Sequence, residues 1–196
     1  MRILVTGAGG FIGRRLIERL EGEHEVHPVV RRAPDDRRPW IVQDLAQPLD
    51  ARRLPSRIDA VIHLAQSRRY REFPSGAADM FAINVESTFR LLEYARHAGT
   101  QIFVYASTGG IYGYSYEALV ETAPANPLNF YLTSKHIAES LVANYQAFFH
   151  TVVFRFFFVY GPGQEGMLVP TLLEKVRKGD QISIAGRPGQ RINPIY

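Results

Sequence analysis

The chain has 196 residues and a mass of 22.2 kDa, with 46% hydrophobic residues and a formal net charge of +4. This composition is that of an ordinary globular protein and excludes a disordered, collagen-like or coiled-coil chain. The absence of cysteine excludes disulfides, zinc–thiolate sites, iron–sulfur clusters and cysteine nucleophiles. Because we find neither a secretory signal nor an apolar run near the roughly 18 residues of a membrane span, we expect a cytoplasmic protein without a membrane partner. The paired arginines are scattered among 19 acidic residues, which favours a solvated surface over a nucleic-acid site.

Strands and helices alternate along the predicted fold. Short runs of β-branched residues predict strands, and apolar residues recurring every three or four positions predict helices. In chain order, we predict a strand at 2–6, a helix at 10–20, strands at 25–30, 40–43 and 59–64, a helix at 78–98, a strand at 101–106, a loop at 107–127, a helix at 131–149, a strand at 151–159, a helix at 168–178 and a strand at 181–185. This alternation predicts an α/β fold with a doubly wound parallel sheet.

Three glycines spaced three residues apart, Gly7, Gly10 and Gly13, lead from the end of the first strand into the first helix. Glycine permits the sharp turn, lets the backbone approach a pyrophosphate and lets the helix pack closely on the sheet. The helix N-terminus then offers free N–H groups and a positive dipole end to phosphates. The turn therefore predicts a dinucleotide site, which also includes Phe11 and Ile12.

The second predicted strand is followed by Arg31 and Arg32, where a carboxylate would hold the ribose 2′-hydroxyl of NAD. A planar, permanently charged guanidinium suits a 2′-phosphate instead. This favours NADP as the cofactor, with NAD as the alternative, since both arginines could also be surface charges near Asp35 and Asp36.

Tyr131 and Lys135 are one turn apart on the helix predicted at 131–149, so they share a face. A free phenol has a pKa near ~10, too high for a base at neutral pH. Because a neighbouring ammonium lowers that pKa, the pair predicts proton exchange with a substrate oxygen while a nicotinamide moves hydride. Taken by itself, this spacing could also be an exposed helix pair with no role.

These motifs resemble the extended short-chain dehydrogenase/reductase family, in particular its NAD-dependent epimerase/dehydratase branch, which acts on nucleotide sugars. The resemblance covers essentially the whole chain and is carried by residues 6–13, 44–45, 63–65, 84, 107–113, 131, 135, 155 and 160–163. It implies a Rossmann dinucleotide-binding domain at 1–165 and an incomplete substrate-binding lobe beginning at 166–196. The chain thus resembles a C-terminally truncated member, which would bind dinucleotide and turn over substrate poorly.

For the cofactor, the resemblance implies that Asp44 and Leu45 lie beside the adenine. Leu64 and Ala65 would lie along the cofactor, with Ala65 beside the nicotinamide ribose. Lys135 would bind that ribose and tune the tyrosine.

For the reaction, the resemblance implies that Tyr131 is the acid/base and that Thr108 binds the reacting substrate oxygen. Ser107 is the neighbouring alternative to Thr108. Asn84 would either support the site or merely pack its helix. The helices at 78–98 and 131–149 resemble the pair that forms a homodimer interface in the family.

Several residues depart from the family pattern. Gln66 stands where alanine is usual, at the cofactor edge, and Phe158 stands at a substrate-binding position that is often asparagine. Gly109 and Gly110 replace the acidic pair of the 4,6-dehydratases, which argues against dehydratase activity because water elimination needs an extra acid and base.

We therefore expect an NAD(P)-dependent epimerase or oxidoreductase that acts on a nucleotide-activated sugar by hydride transfer. One alternative is an NADP-dependent reductase of a non-nucleotide carbonyl compound, which Phe158 favours. Another is a catalytically weak dinucleotide-binding sensor or scaffold. The spacing of the six histidines predicts no metal site.

Overall fold

A computed structural model describes residues 1–115, 117–183 and 192–196. The chain forms two compact units, Met1–Arg155 and Phe156–Tyr196. The domain boundary predicted between residues 165 and 166 stays a prediction.

The first unit alternates strands and helices as predicted. Its elements are β1 (Arg2–Thr6), α1 (Phe11–Leu20), β2 (Glu25–Val30), β3 (Ile41–Val42), a 3₁₀ turn (Ala51–Arg53), β4 (Ala60–His63), α2 (Ala77–Phe81), a π-helical turn (Ala82–Glu86), α3 (Ser87–His97), β5 (Ile102–Thr108), a 3₁₀ turn (Gly109–Tyr112), α4 (Phe130–Asn144), a 3₁₀ turn (Tyr145–Ala147) and β6 (His150–Phe156).

The strands form one six-stranded sheet in the order β3-β2-β1-β4-β5-β6. β1 pairs in parallel with β2 and β4, β2 pairs in parallel with β3, and β4 pairs in parallel with β5. The strand order runs outward from β1 to β3 and then restarts at β4 on the other side of β1. In such sheets ligands bind at this switch point, outside the carboxyl ends of the strands.

Both faces of the sheet are covered, because alternate residues of each strand point to opposite sides. On β1, Leu4 joins a cluster with residues of α3 and α4, including Leu91 and Val142. Its neighbours Ile3 and Val5 join a second cluster that includes Ile17 of α1. Each fully buried aliphatic side chain contributes about 1.5–3 kcal/mol relative to exposure, so these two clusters hold the sheet that carries the site.

Several predicted elements have different bounds in the structure, and the largest differences are these. The helix predicted at 78–98 contains the π-helical turn, and the helix predicted at 131–149 ends at Asn144. β5 extends through Ser107 and Thr108, which were predicted to be loop. The strand predicted at 151–159 is two strands, because β6 lies in the large sheet whereas residues 158–159 pair elsewhere. The strand predicted at 181–185 falls partly outside the described residues, and residues 181–183 are not in a strand.

The second unit contains β7 (Phe158–Val159), α5 (Leu168–Lys178) and β8 (Pro194–Ile195). β7 and β8 pair in parallel. α5 ends at Gly179, whose φ of 70° is the left-handed conformation that glycine adopts readily. Among the described residues of both units, we find no helix with the length and apolar character needed to cross a membrane.

Candidate active site

The turn after β1 depends on glycines that leave no room for side chains. Gly7 has a φ of 68°, and a Cβ on it would lie 2.7 Å from the nitrogen of Ala65. A Cβ on Gly13 would lie 2.3 Å from the carbonyl oxygen of Gly7, because α1 begins directly against the turn. The N–H of Gly10 donates to that same carbonyl at 2.9 Å. The predicted glycine roles in turning and close packing therefore match the geometry.

The N-terminus of α1 is open to a ligand. Gly10 is the N-cap and provides no side-chain cap, and the first turn of the helix contains no acidic residue. Helix geometry leaves the N–H groups of Phe11, Ile12 and Gly13 without intrahelical acceptors. Free donors at a positive dipole end, beside a backbone cradle that a Cβ would fill, fit the pyrophosphate of a dinucleotide.

Arg31 and Arg32 directly follow β2, next to this turn. Val30, which precedes them, would have its Cγ1 3.3 Å from a Cβ on Gly9. Both arginines are exposed, and within the described ranges neither guanidinium has a hydrogen-bond or ion-pair partner. Asp36 does not pair with them, since its carboxylate accepts from the Trp40 indole N–H at 2.6 Å. The two guanidinium groups are therefore available for an anion.

Asp44 and Leu45 lie after β3 and differ in environment. The Asp44 carboxylate accepts from the N–H of Ala46 at 3.0 Å, which stabilises the local turn. Leu45 is buried in the hydrophobic cluster that includes Leu4. The side chain of Leu45 therefore belongs to the core.

The end of β4 is fixed by a buried histidine. Nδ1 of His63 lies 2.6 Å from the Thr6 hydroxyl, and Nε2 lies 3.0 Å from the Thr88 hydroxyl. Burial, and secondarily the charge of Lys135, lowers the pKa of His63 to about 3. His63 is therefore a neutral structural residue that fixes the segment containing Leu64 and Ala65.

The end of β5 carries two hydroxyl groups. Thr108 caps the following 3₁₀ turn, since its hydroxyl oxygen accepts from the N–H of Gly110 at 3.2 Å. The Ser107 hydroxyl is buried and has no hydrogen-bond partner among the described residues. A buried hydroxyl without a partner is costly, so Ser107 marks a place where a ligand or water would bind.

Lys135 is buried in the middle of the site. Its ammonium donates to the carbonyl of Ala106 and lies 4.3 Å from the centre of the Tyr105 ring. Burial lowers the pKa of Lys135 to about 7, and the negative charge of Glu139 partly opposes that change.

Tyr131 lies in the first turn of α4, which Asn129 caps by accepting from the N–H of Leu132 at 2.9 Å. Its hydroxyl donates to the side-chain carbonyl of Gln66 at 2.8 Å, and its ring centre lies 5.6 Å from that of Tyr70. Burial, followed by the influence of Tyr70, raises the pKa of Tyr131 to about 12. This differs from the lowering by Lys135 that the sequence predicts, because burial of Tyr131 disfavours its charged phenolate form.

A buried network joins the Gln66 segment to α4. The Asn84 side chain accepts from the N–H of Ser67 at 3.0 Å and donates to the Ser134 hydroxyl at 2.9 Å. Ser134 in turn donates to the carbonyl of Tyr131 at 2.7 Å. Asn84, which is 1% exposed, therefore links the two parts of the site.

A cavity of about 420 Å³ lies beside Tyr131. Its other lining residues are Tyr70, Arg71, Phe73, Asn129 and Phe130. The mixture of aromatic faces with one guanidinium and one amide offers stacking surface and hydrogen-bond donors to a small molecule.

The structure brings most predicted site residues of the first unit to one edge of the sheet, at the carboxyl ends of its strands. Phe158 lies in β7, which belongs to the second unit. In the described ranges no three His, Asp or Glu residues are placed to hold a metal ion. No role for Gln66 was predicted from the sequence, although a glutamine where alanine is usual was a sign that this position differs.

A model of the "NAD dependent epimerase/dehydratase family" matches residues 3–193 of the chain. The Bacillus subtilis (strain 168) protein named "Uncharacterized UDP-glucose epimerase YtcB" is 32% identical over 185 residues, covering 84% of this chain and 58% of the relative. The mouse (Mus musculus) "dTDP-D-glucose 4,6-dehydratase" is 28% identical, covering 100% of this chain and 61% of the relative. The chain thus spans about three fifths of the length of these relatives.

Solved structures give the same picture of similarity. MoeE5 in complex with UDP-glucuronic acid and NAD superposes with a TM-score of 0.84 and is 31% identical. The match covers 99% of this chain and 67% of MoeE5.

Proposed function

Because the chain belongs to the NAD-dependent epimerase/dehydratase family, we propose that it is an NAD(P)-dependent epimerase or oxidoreductase acting on a nucleotide-activated sugar. One observation carries the proposal. Ala65 lies against the glycine turn, where its nitrogen would be 2.7 Å from a Cβ on Gly7, and the next residue accepts a hydrogen bond from Tyr131. A dinucleotide seated on the turn would therefore lie close to a group that can exchange a proton.

We propose the following division of roles. The bound nicotinamide supplies hydride exchange. Tyr131 donates a proton to the substrate oxygen when the sugar is reduced and removes it when the sugar is oxidised. Thr108, or its neighbour Ser107, binds that oxygen, and Lys135 binds the cofactor ribose. With a pKa of about 7, Lys135 gains charge readily when an electron-rich group enters the site.

The remaining cofactor contacts in the proposal come from the backbone and from the strand ends. The members of this set are Gly7, Gly10, Phe11, Ile12, Gly13, Asp44, Leu45, Leu64 and Ala65.

We propose NADP as the preferred cofactor, with NAD as the alternative. The support is that the guanidinium groups of Arg31 and Arg32, after β2, are exposed and have no partner among the residues that the structure describes. MoeE5 is bound to NAD in its complex, so this similar structure does not support a preference for NADP. The preference rests on the two arginines alone.

For the reaction type, we favour epimerisation or simple oxidation and reduction over dehydration. Gly109 and Gly110 follow Thr108 and offer no acid or base. A 4,6-dehydratase is among the similar proteins, so similarity alone does not decide the reaction type. The preference against dehydration rests on the absence of acidic side chains at these two positions.

We further propose a homodimer that forms through the segments 78–98 and 131–149, which were predicted as helices. Large apolar side chains are exposed on these segments, namely Phe81, Phe89, Ile137 and Phe148. A second copy of the chain would bury them.

A cytoplasmic location completes the proposal, because a chain without cysteine is compatible with a reducing compartment.

The test is reduction of NADP⁺ or NAD⁺ on addition of a nucleotide sugar such as UDP-glucose, followed by the absorbance of the reduced nicotinamide. We expect reduction that free UDP slows by competition. Turnover of a carbonyl compound without competition by UDP or dTDP would favour the non-nucleotide reductase, to which Phe158 is suited. Because epimerisation leaves no net reduced cofactor, the sugar product is also analysed, and dinucleotide binding with neither cofactor reduction nor epimerisation of any nucleotide sugar would favour a sensor or scaffold.

A further inference from the structure

Gln66 lies where the glycine turn and the tyrosine meet. It follows Ala65, which packs against Gly7, and its side-chain carbonyl accepts from the Tyr131 hydroxyl at 2.8 Å. The geometry points to Gln66 as a positioning residue that holds the Tyr131 hydroxyl in place for proton transfer. This inference rests on the proposed function of Tyr131.

Gln66 is exposed, but the backbones on both sides of the contact are held by a buried network. Ser67, next to Gln66, donates its N–H to Asn84 at 3.0 Å. Asn84 donates to Ser134 at 2.9 Å, and Ser134 bonds the backbone carbonyl of Tyr131. Both backbones that carry the contact are thus fixed to one buried amide. This frame holds the two backbones within reach of each other, and the side-chain hydrogen bond joins Gln66 to Tyr131.

An amide is suited to this position because it can bind both protonation states of a phenol. Its carbonyl accepts from the neutral hydroxyl. When the amide group rotates so that its oxygen and nitrogen exchange places, its NH₂ group donates to the phenolate. Alanine, the usual residue at this position, does neither.

Each direction of the proposed reaction uses one of these two states. In reduction, the Tyr131 O–H bond breaks and the proton goes to the substrate oxygen, while the substrate carbon gains the hydride that the reduced nicotinamide would supply. The Gln66 NH₂ then donates to the phenolate. In oxidation, the phenolate takes the substrate hydroxyl proton while the substrate carbon loses hydride, which the oxidised nicotinamide would accept. The Gln66 carbonyl then accepts from the restored phenol.

The first test places a charge at position 66 and needs no turnover. The pKa of Tyr131 is measured by NMR with tyrosine labelled at its hydroxyl-bearing ring carbon, and Tyr131→Phe identifies the resonance. A cation beside the hydroxyl stabilises the phenolate, so Gln66→Lys should lower this pKa by about one unit relative to the uncharged Gln66→Ala. A fall of half a unit or more supports the contact, and a smaller fall overturns it.

The second test separates positioning from binding. Gln66→Ala should lower kcat about tenfold and leave KM and cofactor affinity unchanged, whereas Gln146→Ala, at an exposed glutamine after α4, should change none of them. An unchanged kcat in Gln66→Ala would overturn the positioning role. If Tyr131→Phe itself keeps full activity, the proposed function fails instead, and the NMR titration still decides whether Gln66 contacts Tyr131.

Discussion

Lys135 shows at the scale of one residue how the site combines burial with charge. It is 2% exposed and yet titratable, and its amine is held by a backbone carbonyl and an aromatic face. The sequence predicted its place on α4 one turn after Tyr131. It could not predict the lowered pKa, because that depends on how completely the sheet and helices remove water.

This burial makes stability depend on pH. The pKa of Lys135 is 10.5 in its ordinary state and about 7 here, so the unfolded chain binds more protons than the folded chain between these values. The free energy of unfolding therefore increases as pH rises through that window, because the unfolded chain must bind a proton at Lys135 that the folded chain does not.

Lys135→Met removes this pH dependence. The melting temperature of Lys135→Met minus that of the original chain should be highest near about pH 6 and should fall toward about pH 9. Thermal unfolding at both pH values measures it, with the exposed Lys175→Met as control. A difference that does not change with pH would contradict the buried, readily neutralised amine.

Arg31 and Arg32 carry the cofactor preference, so their replacement tests it. The double variant Arg31→Ser, Arg32→Ser should weaken NADPH binding at least about tenfold, since a charge-assisted hydrogen bond contributes about 1.5–3 kcal/mol. NADH binding should stay within about twofold. Arg57→Ser, another exposed arginine, serves as control. Tighter binding of NADH than NADPH by the unmodified chain would refute the preference.

At the scale of elements, strand and helix order followed the sequence patterns closely, whereas the irregular segments did not. The apolar repeat predicted one helix at 78–98, but residues 82–86 form a π-helical turn. Ser87 and Thr88 donate to the carbonyls of Ile83 and Asn84, bonds that depend on the actual backbone path. The spacing of apolar residues along a helix changes little when one turn contains an extra residue, so the apolar pattern does not reveal a π-helical turn.

The N-terminus of α4 gives a prediction at this scale. Asn129 caps the helix that presents Tyr131, and such a cap is worth about 1 kcal/mol. Asn129→Ala should therefore lower the free energy of unfolding by about that amount in urea titrations. Ser140→Ala, on an exposed position of the same helix, should change it by less than about 0.5 kcal/mol. Equal effects of both variants would show that the cap does not stabilise α4.

At the scale of the whole molecule, the fold class could be predicted because each level of the sequence agrees. The glycine turn, the alternating elements and the two apolar faces of β1 all require a covered parallel sheet. The position of Gln66 on Tyr131 could not be predicted in this way, because it joins residues 65 positions apart through a side-chain network.

Association of two copies is the prediction for the molecule as a whole. Light scattering should give twice the 22.2 kDa mass of the chain. Phe89→Asp, at a phenylalanine that is 49% exposed on α3, should give a monomer because a charge in an apolar interface is costly. Arg57→Asp should remain a dimer. A monomeric unmodified chain would contradict the proposed interface.

The central claim is that Tyr131 exchanges the proton while a nicotinamide on the glycine turn exchanges hydride. Its most direct test is the rate of cofactor reduction by a nucleotide sugar in Tyr131→Phe, compared with Tyr114→Phe at a tyrosine that is 90% exposed. We predict a loss of about 10²–10⁴-fold in the first variant, with dinucleotide binding retained, and no loss in the second. Equal rates in the two variants would contradict the account.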